Sequence, residues 1–498
     1  MSGMATGSLQ ERVGVSWLLD KVMSPTAAAA LIKPGMVLGF SGFASAGYPK
    51  LVPEAIAARG EAKGLTVLAG ASTGPELDGE LAEAGLIARR APFQSEKQLR
   101  ESINAGGVDY CDIHLSQMPK YLREETFGHI DYAIIECVLI DGDSGVVPTT
   151  TLGAVDTIMH MAEKVILEIN TSFPTSLKGM HDIYAYKPGE VVPITGILDR
   201  IGTPTIHCPP EKVAAIVINE TPGKAASFQA GNEVSDRIAG HIIDFLKEEV
   251  KRPHYRGKLP PLQSGLGNVA NAVLYGLRDS GFKHLTMYTE VVQDTAFELM
   301  RAGIIDGAST TSLSLSAESR DELFANMDYY KKRIVIRSQD ISNNPELIQR
   351  FGVIGMNTAI EADIYGNVNS THIMGSGTMN GVGGSCDFAR NAGVTIFMTP
   401  ATAKGGRISC IVPMVSHVDS TEHDVHVIVT EYGLADLRGK SPKERAELII
   451  ENCAAPEYRG ALREYLRSAE ARGAQHTPHD LAKALSWHVN YLEKGSML

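Results

Sequence analysis

Glu290 closes an apolar run, Leu285-Thr286-Met287-Tyr288-Thr289, and is followed by Val291-Val292-Gln293-Asp294. A carboxylate ending an apolar strand is partly desolvated, which raises its energy and its nucleophilicity toward an electrophilic carbonyl. Capping of a following helix N-terminus is the plainer role for such an acid. Glu431 ends a second apolar run, Val427-Ile428-Val429-Thr430, in the same way.

Two glycine-rich stretches could receive the group that such an acid attacks. Gly265, Leu266, Gly267, Asn268 and Val269 lead into a helical segment, where bare main-chain N–H groups make an anion seat. The same residues fit G-x-G-x-x-G/A, the dinucleotide fingerprint, with Glu290 standing about 20 residues on. That fingerprint needs a strand leading into its first glycine, and Pro260-Pro261 cannot donate to a sheet ladder. A tight turn without a ligand is the third reading.

The second stretch, Gly375 to Asn391, holds Gly375, Gly377, Gly381, Gly383 and Gly384 together with Asn380. Such a loop lets a ligand approach the main chain and suits an oxyanion hole of backbone donors. A flexible linker is less apt here, because apolar-rich segments on both sides pin the loop to a core. Cys386 lies within it, but no His or Lys adjoins the thiol to activate it. Lys404 and Arg407, around Gly405-Gly406, supply cations for an anionic ligand. His417, Asp419, His423, Asp424 and His426 match no standard zinc spacing. Alternation through Asp424, His426 and Ile428 sets that stretch on one strand face, and no metal site is expected.

The elements that must hold these residues recur. SGFASAG from Ser41, a helical segment from Leu51 to Arg59, and LTVLAG from Leu65 are matched by SGLGNVANAV from Ser264, a helix to Leu277, and LTMYTE from Leu285. Further on, AIIECVLIDGDSG from Ala133 parallels AIEADIYGNVNS from Ala359, and VILEI (Val165 to Ile169) parallels VTIFM (Val394 to Met398). A period this long indicates two copies of one domain rather than a solenoid. The first copy carries Gly70 where the second carries Glu290, so the acid is not required by the shared fold.

Short Val/Ile/Leu runs alternating with amphipathic helices predict α/β architecture with mainly parallel sheets, in two similar tandem domains over residues 1–225 and 226–498. At the seam, Ser235 is the expected N-cap of a helix presenting Ile238, Ile242, Phe245, Leu246 and Val250 on one face. Ligands of such sheets collect beyond the carboxyl ends of the strands, where Glu290 is expected.

Composition limits the partners. The 498 residues carry 46 Lys plus Arg against 58 Asp plus Glu, a net charge of −12, which disfavours a nucleic-acid binder. Hydrophobic content of 44% and charged content of 21% describe a soluble globular protein, and no apolar run approaches the length of a membrane span. Six cysteines without a CxxC pair suit reduced thiols, and with no apolar leader at the N-terminus a cytoplasmic location is expected.

Taken jointly, LQSGLGN, YTEVVQD, IEADIYGNVNST, MNGVGGSCDFARNA, ISCIVPMVSHVDSTEHDV and TEYGLADLRG resemble the acetyl-CoA hydrolase/transferase family of class I CoA-transferases, above all its succinyl-CoA:acetate CoA-transferases. The resemblance spans nearly the whole chain. It implies a CoA-transferase-like fold and makes Glu290 the nucleophile that becomes a glutamyl-CoA thioester. Gly265, Leu266, Gly267, Asn268, Val269, Asn380, Gly384 and Lys404 would then contact CoA, with the Gly384 N–H serving the oxyanion. Glu431 matches the family's second active-site acid, Lys224 falls where the family has an arginine, and Cys386 stands where members often have glycine.

Coenzyme A is a substrate on this reading, with no tightly bound cofactor, short-chain carboxylates as the other partners, and a homodimer as the expected assembly. Two rivals stay open. One is an acyl-CoA hydrolase with water as acceptor; the other is a non-catalytic sugar-phosphate-type binding protein in which Glu290 is idle.

Overall fold

The computed structural model describes residues 9–187, 189–223, 231–265, 267–473 and 475–498. The chain forms two compact units that interleave along the sequence. The first takes Met1–Ser227, Met287–Phe297 and Asp306–Leu347; the second takes Phe228–Thr286, Glu298–Ile305 and Ile348–Leu498.

In the first unit the apolar runs become a parallel sheet. Its strands lie in the order Val213–Asn219, Lys164–Asn170, Tyr132–Ile140, Val37–Ala44, Leu65–Ser72, Ile87–Ala91 and Asp109–Tyr110. Every pairing along that path is parallel. Near-continuous burial along the strands, as in Val37–Ala44 and Leu65–Ser72, is the mark of a sheet covered on both faces. Leu38, Phe40, Val67, Ile134, Ile166 and Val217 join in one core beneath the helix Leu51–Arg59. The same unit pairs Ala308, Ser309 and Thr310 in parallel with Ile334, Val335 and Ile336.

In the second unit Leu262–Ser264, Ile354–Thr358, Val394–Met398 and Val427–Thr430 are successive parallel neighbours, and Gly433–Asp436 returns antiparallel on the last. Placed by the repeated landmarks, these four correspond to Val37–Ala44, Tyr132–Ile140, Lys164–Asn170 and Val213–Asn219, which are neighbours in the same order. The repetition in sequence is therefore a repetition in topology, and the α/β class with mainly parallel sheets holds.

Three local expectations change. A strand does lead into Gly265: Leu262–Ser264 begins directly after the prolines, and the Pro261 carbonyl still accepts the Ile354 N–H at 3.0 Å. Proline lacks a donor but keeps its acceptor, so it can open a strand that it could not continue. The seam helix is Glu233–Glu249, capped by Asn232 rather than Ser235; Ser235 sits three residues in and closes a reciprocal capping box with Asn232. Asp424 lies in a turn before the strand Val427–Thr430, so it shares no strand face with Ile428. Among the described residues, no helix is long and apolar enough to cross a membrane.

Candidate active site

Glu290 stands two residues beyond the strand Leu285–Tyr288, within the first unit. Its backbone is pinned on one side: the Glu290 carbonyl accepts the N–H groups of Thr311 and Ser312, each at 3.0 Å, and the Thr310 hydroxyl at 2.7 Å. Val291-Val292 then pairs with Ser312-Leu313, and Val291 packs with Phe43, Ala71 and Leu115. Loss of backbone freedom on both sides fixes where the side chain starts, while the side chain itself is half-buried. A half-buried carboxylate is reachable by a substrate yet only partly hydrated.

Its Oε1 accepts the Asn343 Nδ2–H at 2.7 Å. Asn343 is buried and follows the single helical turn Gln339–Ser342. The Ser342 hydroxyl donates to Asn343 Oδ1 at 2.8 Å, which turns the amide so that its NH2 end faces Glu290. Asn343 is the neighbour of Glu290 that sequence reasoning missed. It occurs in Ser342-Asn343-Asn344-Pro345, a string that reads as an ordinary turn, and no spacing to Glu290 marks it out.

The remaining candidates among the described residues lie in the second unit. Gly265 follows the strand Leu262–Ser264 and donates to the Met356 carbonyl at 2.9 Å. Leu266 lies outside the described residues, as does Lys224. Gly267 has φ +113°, in the region that favours glycine, and turns the chain directly into the helix Asn268–Leu277, whose first two residues are Asn268 and Val269. Buried Gln263 and Asn357 brace the strand below, with amide contacts of 3.0 and 3.2 Å.

Glu431 occupies the two-residue turn between Val427–Thr430 and Gly433–Asp436. Its Oε2 accepts the Ala401 N–H at 2.7 Å. Ala401 precedes the hairpin Thr402–Ala403 with Ile408–Ser409, and Lys404 is exposed at the tip of that hairpin. The second acid thus anchors the base of the element that presents the lysine.

Gly384 is the N-cap of the helix Ser385–Asn391, which runs back along the sheet into Val394–Met398. Its N-terminal end is therefore directed toward the edge at which Gly265 and Glu431 also emerge. Asn380 donates its side-chain amide to main-chain carbonyls, that of Ser370 at 3.1 Å and that of Gly381 at 2.8 Å. Cys386 is buried against Asp419 and Ser420, and burial pushes its thiol up to about 12, so it is no nucleophile at neutral pH. Three members of the histidine-rich stretch make contacts within the fold. His417 lies 3.3 Å from Asp419, whose carboxylate ties down Ser370 and Thr371, and His426 Nδ1 accepts the Thr395 N–H at 3.1 Å.

Comparison with known proteins places the chain in a family. Residues 9–218 match the acetyl-CoA hydrolase/transferase N-terminal domain, and residues 320–466 match the C-terminal domain of that name. The chain is 48% identical over 495 residues to the succinyl-CoA:acetate CoA-transferase of Clostridium kluyveri, covering 98% of this chain and 92% of that protein. It is 44% identical to the acetyl-CoA hydrolase of Candida glabrata, covering 98% and 97%. Among solved structures, RipA from Yersinia pestis is similar with a TM-score of 0.70 at 24% identity, covering 91% of this chain and 99% of that one. The 4-hydroxybutyrate CoA-transferase from Porphyromonas gingivalis is similar with a TM-score of 0.64 at 22% identity, covering 91% and 99%. A repeated α/β topology, a strand-end glutamate held by an amide, and both family domains matched in order lead to one conclusion: this chain belongs to the acetyl-CoA hydrolase/transferase family.

Proposed function

We propose that the protein transfers CoA between a short-chain acyl-CoA, acetyl or succinyl, and a carboxylate acceptor such as acetate or succinate, through a thioester on Glu290. The observation that carries this reading is Glu290 itself, a half-buried carboxylate with a pinned main chain and an oriented amide on its oxygen. The 48% identity to a protein named succinyl-CoA:acetate CoA-transferase supports the choice of substrates.

The Glu290 carboxylate attacks the acyl-CoA carbonyl, giving an acyl-glutamyl anhydride and CoA thiolate. The thiolate attacks the glutamyl carbonyl, forming the glutamyl-CoA thioester and releasing the donor carboxylate. The acceptor carboxylate attacks this thioester, and the expelled thiolate takes the acceptor's acyl group from the new anhydride. Each nucleophile is already an anion, so the chain's task is to hold tetrahedral oxyanions and to place the reactants. Asn343 Nδ2 serves the oxyanion formed on the glutamyl carbon. The Gly384 N–H serves an oxyanion in this reading. Gly265, Leu266, Gly267, Asn268, Val269, Asn380 and Lys404 receive CoA, and Glu431 acts by holding the Lys404 hairpin. Homodimeric assembly, a cytoplasmic location, halves at 1–225 and 226–498, and no tightly bound cofactor complete the proposal.

Hydrolysis is the second reading, favoured by the 44% identity to a protein named acetyl-CoA hydrolase. Rates with a panel of acyl-CoA donors, measured with water alone and with short carboxylates, separate the two. Carboxylate acceptors are expected to outpace water by at least about a hundredfold, because an anion can be oriented whereas water needs a base. Equal rates would make the protein a hydrolase.

Asn343→Ala is expected to lower kcat roughly tenfold to hundredfold, the worth of one hydrogen bond to a charged group, with little change in KM for acyl-CoA. Steady-state kinetics check this; an unchanged kcat would remove Asn343 from the reaction.

A further inference from the structure

The loop 380–385, which carries Gly384, is met at both ends by one residue. At its front the Met379 N–H donates to the Thr371 carbonyl at 2.7 Å, and the Asn380 Nδ2–H donates to the Ser370 carbonyl at 3.1 Å. Ser370-Thr371 is in turn held by Asp419. Its Oδ2 accepts the Ser370 N–H at 2.6 Å, and the Thr371 hydroxyl lies 2.9 Å from each of its oxygens. His417 Nε2 stands 3.3 Å from Oδ1, and the Asp419 side chain is 7% exposed. At the back of the loop the Cys386 thiol donates to the Asp419 main-chain carbonyl at 3.3 Å and lies 3.5 Å from the Ser420 hydroxyl. The Asp419 backbone is itself fixed: its N–H donates to the Val368 carbonyl at 2.9 Å, and the Val368 N–H donates to the Ser420 carbonyl at 2.8 Å.

We propose that Asp419 and Cys386 are positioning residues for the reaction: Asp419 grips the loop in front through the Ser370-Thr371 turn and behind through the Cys386 thiol, and so fixes where Asn380 and the Gly384 N–H stand. This rests on the reading in which Gly384 serves an oxyanion and Asn380 receives CoA. All of these residues belong to the second unit. A donor stabilises an oxyanion only where it is already in place, and an error near 1 Å costs about a hundredfold in rate. Gly381, Gly383 and Gly384 leave the loop little stiffness of its own, so its placing must come from bonds at its ends. A carboxylate suits the front, because hydrogen bonds to an ionised acceptor are short and strong. A thiol is a weaker donor, but burial keeps that of Cys386 protonated, so it donates throughout the neutral range.

A second carboxylate nearby has a different task. Glu361 Oε1 accepts the Asn369 Nδ2–H at 3.0 Å and the Ser416 N–H at 2.7 Å, while Oε2 meets His488 Nε2 at 2.8 Å. Asn369 Oδ1 accepts the N–H groups of Thr371 at 3.2 Å and His372 at 2.9 Å. Glu361 thus braces the far side of the same turn and ties it to the helix Ser486–Lys494, so its loss falls on the fold. Asp419 differs in reaching both the turn and the rear of the loop.

The test uses the full-length protein with Asp419→Ala, Asp419→Asn, Thr371→Val, Cys386→Ala and Cys386→Ser. Asp419→Ala is expected to lower kcat for CoA transfer by about tenfold to a hundredfold, more than it raises KM for acyl-CoA, and Asp419→Asn, which keeps one acceptor oxygen, to lose less. Thr371→Val and Cys386→Ala each remove one hydrogen bond and are expected to lower kcat by about threefold to tenfold. Cys386→Ser keeps a donor and is expected to retain more activity than Cys386→Ala. Should Asp419→Ala not fold, these milder variants carry the test. The second measurement is the alkylation of single thiols by iodoacetamide, followed by peptide mapping. Asp419→Asn and Thr371→Val are expected to speed alkylation of Cys386 by about tenfold or more and to leave the fully buried Cys453 unchanged. Parallel acceleration at both thiols is global loosening and overturns the proposal, as does a kcat within about twofold of wild type in both Thr371→Val and Cys386→Ala. Peptide mass spectrometry after acyl-CoA treatment separates this from the parent reading: a CoA adduct on wild-type Glu290 with kcat unaltered in the variants sinks the positioning role alone, whereas no adduct in the wild type sinks both.

Discussion

Glu290→Ala is expected to abolish CoA transfer, by several orders of magnitude, while leaving the fold in place. The effect is large because every intermediate of the proposed cycle is covalently attached to this side chain. The fold should tolerate the change because the carboxyl is half-buried and its main chain is held independently, by Thr310, Thr311 and Ser312. Glu290→Asp should fail nearly as badly, since withdrawing the carboxylate by one methylene moves it about 1 Å from its partner. Two measurements check this together. Wild-type protein treated with acyl-CoA should carry CoA on the peptide containing Glu290 and the variant should carry none, with both showing the same thermal midpoint. Residual transfer above about 1% in Glu290→Ala would end the covalent mechanism.

Asp78→Ala is expected to cost about 3–5 kcal/mol of stability, the largest structural effect of any single change considered for this chain. Asp78 and Arg90 are both fully buried. Arg90 Nε meets Asp78 Oδ1 at 2.8 Å, Nη2 meets Oδ2 at 3.2 Å, and Nη2 also donates to the Ser72 carbonyl at 2.9 Å. Burial raises the Asp78 carboxyl and Arg90 opposes that rise; desolvation of both charges offsets much of the attraction in a buried pair, so an intact pair adds little net stability. Removing one member is another matter, because a guanidinium then stays in the core without its counter-charge. Denaturant unfolding should show the loss in Asp78→Ala and recover most of it in the double variant Asp78→Leu, Arg90→Met. A double variant as unstable as the single one would mean that the pair's own attraction is what matters.

Much of the fold was legible because the relevant signals are local. Apolar runs such as Val165 to Ile169 and Val394 to Met398 report burial on both faces of a strand, and their recurrence after SGFASAG and SGLGN indicated the duplicated topology. Pro260-Pro261 hides the strand that follows it, since proline lacks a donor but keeps the carbonyl that Ile354 uses. The candidate site was legible where an acid or glycine breaks an apolar run, as at Glu290, Glu431 and Gly265. Asn343 was not, because its role depends on a contact with a residue 53 positions away and on the turn that aims it. Buried arginines were equally silent. Arg12, Arg90 and Arg337 are each at most 1% exposed, yet an arginine in a sequence reads as surface unless its partner is known.

The interleaving of the two units also bears on how the protein is made. The first unit takes residues up to Leu347, while the second begins at Phe228 and takes residues up to Leu498. A ribosome must therefore have delivered most of the chain before either unit has all its parts, although the seven strands of the first unit's parallel sheet all lie within Val37–Asn219. Ordered folding during synthesis is open to that sheet, and the segment carrying Glu290 joins it later. The chemistry-bearing glutamate is thus also a late arrival in the nascent chain, and a truncated product lacking it lacks part of its first unit as well.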